Sequence, residues 1–201
     1  MLTGILHHIV AIPWVYDLVQ NLAGRDRNYA RLAPLVAQCG GNTLLDVGAG
    51  TGELARIVPP GTAYIWFDND PQKLSGFRGK SASPRALLGE ADRIGLRDKS
   101  VDVAVCVAMS HHLTDEQLGM TLREMARVCR SKLIFLDPIR VDKSAVSSLL
   151  WKYDRGSYPR QAGALRAAIG QHFDIEHEER YSIYHHYWLC AAKPKASAAC
   201  A

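Results

Sequence analysis

Several features are missing from this 201-residue chain, and each absence removes a class of explanation. There is no run of Lys or Arg and no Arg-Gly or Ser-Arg tract, and the net charge is only +4. Bulk charge therefore gives a nucleic-acid partner little support. There is no CxxC pair. The five cysteines (Cys39, Cys106, Cys129, Cys190, Cys200) are odd in number, which speaks against a disulfide framework and for a reduced, cytoplasmic setting. Cys106 and Cys129 sit in apolar surroundings and read as small core residues. No stretch is apolar and long enough to span a membrane, although contact with a membrane surface stays open. The apolar start, Met1 to Val19, lacks a basic leader and a cleavage site, and Pro13 and Asp17 interrupt it, so no signal peptide is expected. No carboxylate stands at metal-ligand spacing from the histidines, so no metal is expected. Repeats and low-complexity blocks are absent too.

What remains is an ordinary globular composition, 22% charged and 48% hydrophobic, enough for one domain with a substantial core. Residues 1–38 read as helical. Ile5, Ile9, Ile12, Val15, Tyr16 and Val19 recur at helical spacing, and a second helix covers Asp26 to Gln38, ended by Gly40-Gly41. Strand and helix signals then alternate. Strands are expected at Thr43–Val47, Ala63–Phe67, Arg85–Leu88, Val101–Ala108 and Leu133–Leu136. Helices are expected from Glu53 to Val58, stopped by Pro59-Pro60-Gly61, and from Asp115 to Val128 behind a Thr114 N-cap. This alternation predicts an α/β fold, a doubly wound parallel sheet with helices on both faces. After an irregular stretch the pattern changes. A helix at Gln161–Gln171 precedes two strands, Phe173–Ile183 and Tyr187–Ala192, read as an antiparallel hairpin. The small polar residues 194–201 read as a flexible tail.

The segment Leu44-Leu45-Asp46-Val47-Gly48-Ala49-Gly50-Thr51-Gly52 carries most of the chemistry. A buried strand runs into glycines at alternate positions, which permit backbone conformations a Cβ forbids and close approach to a ligand. The helix expected to follow offers free N–H groups. In a doubly wound sheet ligands bind beyond the carboxyl ends of the strands. Asp68 ends the second strand, where a carboxylate can accept from both ribose hydroxyls. Glu90-Ala91 follows the third, where an acid can accept from an adenine amine. A dinucleotide fingerprint requires a small residue where Glu53 stands, and an acid there repels a pyrophosphate. Asp46 and Glu53 favour a cationic ligand, an ammonium or a sulfonium.

On these residues the chain resembles the class I S-adenosylmethionine (SAM)-dependent methyltransferases, in the branch of the ubiquinone/menaquinone-type enzymes. Asp46–Gly52 matches that family's D-x-G-x-G-x-G. Trp66-Phe67-Asp68-Asn69-Asp70-Pro71 resembles its ribose-acid segment. Gly89–Asp102 resembles its G-D-A-x-x-L-P-F-x-D-x-S-F-D segment in register, with Glu90 for Asp and Gly95 for Pro. Ser110-His111-His112-Leu113 resembles the segment after strand four. Glu124-Met125-Ala126-Arg127-Val128 resembles its E-x-x-R-V, and Arg130-Ser131-Lys132 replaces its K-P-G-G turn. The likeness covers residues 43–137.

The resemblance implies a Rossmann-like seven-stranded sheet, mostly parallel, closed by an antiparallel C-terminal hairpin. It implies one domain over residues 1–193, with an N-terminal helical lid at 1–41 and an insert after strand five at 138–160. Asp46, Gly48, Ala49, Gly50, Gly52, Asp68, Asn69, Glu90, Ala91 and Val107 are then the residues that hold SAM. Methyl transfer to a small or medium-sized organic acceptor is the implied activity, and the apolar, aromatic lid (Trp14, Tyr16, Tyr29) points to a hydrophobic or aromatic one. Orientation supplies most of the acceleration, and a general base is needed only where the acceptor must lose a proton. Candidates are His112 and His111 after strand four, with Asp137 and Arg155 on the acceptor side. For His111 and His112 structural packing competes with catalysis, and for the insert a salt bridge from Asp154 to Arg155 or Arg160 competes. His185-His186 stands at a strand turn within reach of the acceptor, with an exposed turn as the competing reading, and His7-His8 reads as a polar helix face. Two other functions stay open: a SAM-binding regulatory or assembly protein without turnover, and an RNA or protein methyltransferase.

Overall fold

The computed structural model describes residues 24–38, 43–78, 85–141, 151, 158–183 and 185–196. Most of the expected lid, Arg155, and most of the 138–160 insert lie outside these residues. The chain runs α1 (Arg25–Ala37), β1 (Thr43–Val47), a 3-10 helix (Glu53–Ile57), β2 (Ala63–Asp68), α2 (Pro71–Arg78), β3 (Arg85–Leu88) and β4 (Val101–Val107). A second 3-10 turn (Ser110–His112), α3 (Asp115–Val128), β5 (Cys129–Ile139), α4 (Ala162–His172), β6 (Phe173–Ser182) and β7 (His186–Pro194) follow.

The strands form one seven-stranded sheet in the order β3-β2-β1-β4-β5-β7-β6. β1 pairs parallel with β2 and β4, and β4 with β5, while β7 runs antiparallel to both β5 and β6. The strand order reverses between β1 and β4, so the carboxyl end of β1 is the switch point at which such sheets bind ligands.

Two apolar layers hold the sheet. α3 begins with a capping box in which the Thr114 hydroxyl accepts from the Gln117 N–H and the Gln117 side chain accepts from the Thr114 N–H. It buries Leu118, Leu122, Met125 and Val128, at helical spacing. With Leu165 and Ile169 of α4 these pack on Leu45, Ala104, Phe135 and Trp188 of one sheet face. On the other face Leu32 and Val36 of α1 pack on Leu44, Val103, Ile134 and Leu189. Cys106 and Cys129 are both buried in the first layer.

Three expectations need correction. The segment after the glycine turn is a five-residue 3-10 helix, not an α-helix, because Pro59-Pro60 leaves too few residues to complete a second turn. Strand five runs from Cys129 to Ile139, well beyond its apolar centre. Lys132 pairs with Val103 of β4, and Asp137, Pro138 and Ile139 pair with β7. Pro138 and Ile139 therefore belong to the sheet and not to an insert. The tail starts later than residue 194: β7 includes Pro194, and the Lys195 N–H donates to the His172 carbonyl at 3.0 Å.

Candidate cofactor site

The glycine turn bends the chain back over the end of β2. The Gly48 and Ala49 N–H groups both donate to the Phe67 carbonyl, at 2.8 and 3.0 Å. The Gly50 N–H donates to Asp68 Oδ2 at 2.8 Å, and its carbonyl accepts from the Trp66 indole, also at 2.8 Å. The three glycines all have positive φ, but for different reasons. A Cβ on Gly48 would lie 2.4 Å from Met109 Cγ, and one on Gly52 would lie 2.3 Å from Phe77 Cδ2. One on Gly50 would meet nothing within 4 Å. Gly48 and Gly52 are thus required by packing, and Gly50 faces the open space a ligand needs.

Two carboxylates stand at the ends of adjoining strands. Asp68, buried, closes β2, and its Oδ1 accepts from the Asp70 N–H at 3.0 Å with Lys73 Nζ 3.5 Å away. Glu90 follows β3 and is exposed, and Asn69 Nδ2 donates to its two oxygens at 3.1 and 3.3 Å. Ala91 beside it packs on the apolar layer under α3. Each carboxylate oxygen keeps a further acceptor position. The donor set fits an adenosine: an acid for a diol, an acid for an exocyclic amine and an apolar wall.

The two acids expected to make the turn negative are both compensated. Asp46 accepts from the Tyr64 hydroxyl at 2.5 Å. Burial, opposed by that hydrogen bond and reinforced by Asp68, pushes its carboxyl up to about 7. Burial and Asp46 together push the Tyr64 hydroxyl well above its ordinary range, so Tyr64 remains the donor. Glu53 Oε2 lies 3.0 Å from Arg56 and 3.9 Å from Arg25. Glu53 therefore repels a pyrophosphate less than a bare carboxylate at that position would.

Asp46 has a measurable consequence. The folded protein keeps its proton where the unfolded chain, titrating near 3.8, has released it. Its contribution is fully present below pH 3.8 and is lost as pH rises through about 7. Urea midpoints are expected to decline across that window, and Asp46→Asn is expected to flatten the decline. An unchanged slope in the variant would assign the effect elsewhere.

The loop between β3 and β4 is fixed from α3. Arg127 donates to the carbonyls of Ile94 and Leu96, both at 2.9 Å, and to Asp98 at 2.6 Å. It also forks onto Glu124 at 2.7 and 2.8 Å, whose Oε2 accepts from the Ile94 N–H at 2.9 Å. Arg127 holds the Glu124 carboxyl below its usual range. The E-x-x-R spacing puts both side chains on one helix face, which is what the clamp requires.

Beyond β4 the paired histidines separate. His111 is buried, its Nδ1 3.0 Å from Asp137 Oδ1, and the Ser110 hydroxyl donates to Asp137 Oδ2. The carboxylate orients the ring with its proton on Nδ1. His112 is exposed, its ring centroid 4.2 Å from that of His111. Trp151 lies edge-on between His111 and His185, at 5.9 and 5.1 Å. His185 is buried, not an exposed turn residue, while His186 beside it is partly exposed. Arg160 pairs with Asp115 and donates to the carbonyls of Ser110 and Leu113 at 2.9 and 2.7 Å. The alternative partner considered for it, Asp154, lies outside the described residues. Sequence reasoning gave no site role to Tyr64 or Trp66, because each acts through a partner distant in sequence. Only the aromatic-rich Tyr64–Phe67 strand beside the glycine turn carried a local signal. No group of three His, Cys, Asp or Glu residues among the described residues could hold a metal ion.

Known proteins share parts of this sequence and its fold. A methyltransferase domain family matches residues 45–136. An uncharacterized methyltransferase of Mycobacterium tuberculosis is 42% identical over 88 residues, 43% of this chain. The matched segment spans only 35% of that relative's length. An uncharacterized methyltransferase of a Geobacillus species is 25% identical over 143 residues, 66% of this chain and 67% of the relative. Among solved structures, magnesium protoporphyrin IX methyltransferase of Synechocystis, with bound SAH, superposes with a TM-score of 0.72 at 16% identity. That superposition covers 88% of this chain and 87% of the other. Residues 45–136 thus resemble a methyltransferase domain, and the seven-stranded sheet has the fold of that SAH-bound methyltransferase.

Proposed function

We propose that the chain transfers the methyl group of SAM to a small or medium-sized organic acceptor of hydrophobic or aromatic character. The observation that carries this reading is the placement of Asp68 and Glu90 on adjoining strand ends, beside a turn whose Gly50 faces open space. The sulfonium, when bound, supplies an already activated methyl group. Asp68 uses its remaining acceptor positions for the ribose hydroxyls, and Glu90, steadied by Asn69, accepts from the adenine amine. Gly48, Ala49, Gly50 and Gly52 set the wall of the site, with Asp46 behind them and Val107 and Ala91 lining its apolar side. This chain's contribution to rate is chiefly to orient the acceptor and exclude water.

The two histidines divide the remaining work. His111 is a positioning residue, locked to Asp137, that fixes the turn after β4. His112, exposed on that turn, takes the proton of an acceptor that must lose one. With such an acceptor, His112→Ala is expected to lower kcat by about 100-fold, with the KM for SAM unchanged. An unaltered kcat would take His112 out of the reaction.

The general test is transfer of isotope-labelled methyl from SAM to small molecules of a cell extract by the full chain. Label in a small-molecule fraction supports the reading. Tight SAH binding with no labelled product favours a regulatory protein, and label in RNA or protein favours a macromolecular acceptor.

A further inference from the structure

We propose that Arg160 is a positioning residue: it clamps the turn after β4 in a strained form that keeps the His112 imidazole outward, toward the acceptor. The clamp itself stands on hydrogen bonds, and its bearing on catalysis rests on the proposed role of His112.

The strain lies at Ala108. Among the described residues only Lys99 and Ala108 combine a side chain with a positive φ, at 48° and 51°. In that region Cβ crowds a neighbouring carbonyl oxygen, so a residue other than glycine has to be held there. Lys99 holds itself, because its ammonium donates to the carbonyls of Ala126 and Cys129, both at 2.9 Å. Ala108 is exposed and has only a methyl group. Its conformation is imposed from both sides. Its own N–H donates to the Leu136 carbonyl at 2.7 Å, which extends the β4–β5 ladder. After it, Met109 packs so closely on Gly48 that a Cβ there would lie 2.4 Å from its Cγ, and Ser110 and His111 both bond Asp137.

Arg160 grips the same turn through its backbone. The side chain is 9% exposed. Nη1 donates to the Ser110 carbonyl at 2.9 Å and to the Tyr158 carbonyl at 3.2 Å, and Nη2 donates to the Leu113 carbonyl at 2.7 Å. The Tyr158 N–H donates to the His111 carbonyl at 3.0 Å. Carbonyls that end a helical turn need partners from outside it, and one short strap supplies those of Ser110, His111 and Leu113. The strap is tied to the end of β5, where the Arg140 N–H donates to the Arg160 carbonyl at 2.8 Å. Asp115 also meets the guanidinium, but its carboxylate is 94% exposed and contributes little. With the turn held by Asp137 through side chains and by Arg160 through carbonyls, His111 is buried and His112 exposed. Without Arg160, Ala108 relaxes to a negative φ, which lifts Met109 off Gly48 and rotates His112 away from the acceptor.

The test compares Arg160→Met, Ala108→Gly and the double variant of the full chain. Ala108→Gly releases the strain and is expected to raise the urea midpoint by about 0.5 M. In the Arg160→Met background, where the turn has already relaxed, the same change is expected to give no rise. A rise in both backgrounds, or in neither, would overturn the clamp. The His112 imidazole resonances, identified by their loss in His112→Gln, are expected to shift in folded Arg160→Met. A purely structural arginine would lower the midpoint and leave those resonances in place, and that result would overturn the positioning role. Transfer of label from SAM to the small molecules of a cell extract is expected to fall by about tenfold or more at saturating SAM, with SAH affinity unchanged. An unchanged rate, or a loss that follows SAH affinity, would overturn the link to catalysis. If the wild type transfers no label, it is the proposed methyl transfer that fails, and the urea and resonance comparisons still score the clamp. Should Arg160→Met not fold, Arg160→Lys carries the same comparisons, since one ammonium cannot replace a fork aimed at several carbonyls.

Discussion

Asp68→Ala is expected to weaken SAH binding by about 1–3 kcal/mol, the penalty for leaving buried polar partners unpaired. The same change should lower stability, because the carboxylate also accepts from the Gly50 and Asp70 N–H groups. Asp68→Asn separates the two effects. An amide oxygen can still receive the Gly50 N–H and hold the turn, but the amide cannot offer acceptors on both sides for a diol. Calorimetry should therefore give a similar loss of affinity in both variants, with a smaller loss of stability in Asp68→Asn. Unchanged SAH affinity in either one would sink the assignment of Asp68 to the cofactor.

Arg127→Ala is expected to cost about 2–3 kcal/mol of stability, read as a lower urea midpoint. The change strips partners from the Ile94 and Leu96 carbonyls and leaves Glu124 without its cation. The Asp98 bond adds little, since its carboxylate is 75% exposed. Arg127→Lys should not restore the loss, because one ammonium cannot replace a fork aimed at several acceptors. The pH dependence follows from Glu124. Its folded value lies below 4.5, so its contribution is present above that pH and fades as pH falls. Arg127→Ala should remove this acid sensitivity. Since the clamped loop leads directly from Glu90 and Ala91, SAH affinity should fall too. A variant as stable as the wild type would show that the loop holds itself.

What could be read from the sequence was local. β1 follows from an apolar pentapeptide, α3 from its cap and spacing, and the tight turn after β1 from its alternate glycines. The site's partnerships were not legible in the same way. Which of two adjacent histidines is buried depends on Asp137, a residue of the next strand. Whether Glu53 is a bare charge depends on Arg25, at the start of α1, as well as on Arg56 beside it. That Trp66 ties down Gly50 depends on two strands being neighbours. The ends of β5 are polar at one side and contain a proline at the other, so composition alone could not mark them as sheet. Their neighbours β4 and β7 do.

β6 lies at one rim of the sheet, where a strand of ten residues leaves backbone groups open to another chain. Glu176, His177, Glu178, Glu179 and Arg180 run consecutively along it. Lys193, Arg166 and Arg31 draw Glu176, Glu178 and Glu179 into ion pairs, so the run is charged but balanced. An incoming strand would have to desolvate these heads to reach the amides behind them. The opposite rim, β3, offers only four residues. Among the described residues, charge on one rim and shortness on the other both oppose growth of the sheet by strand addition.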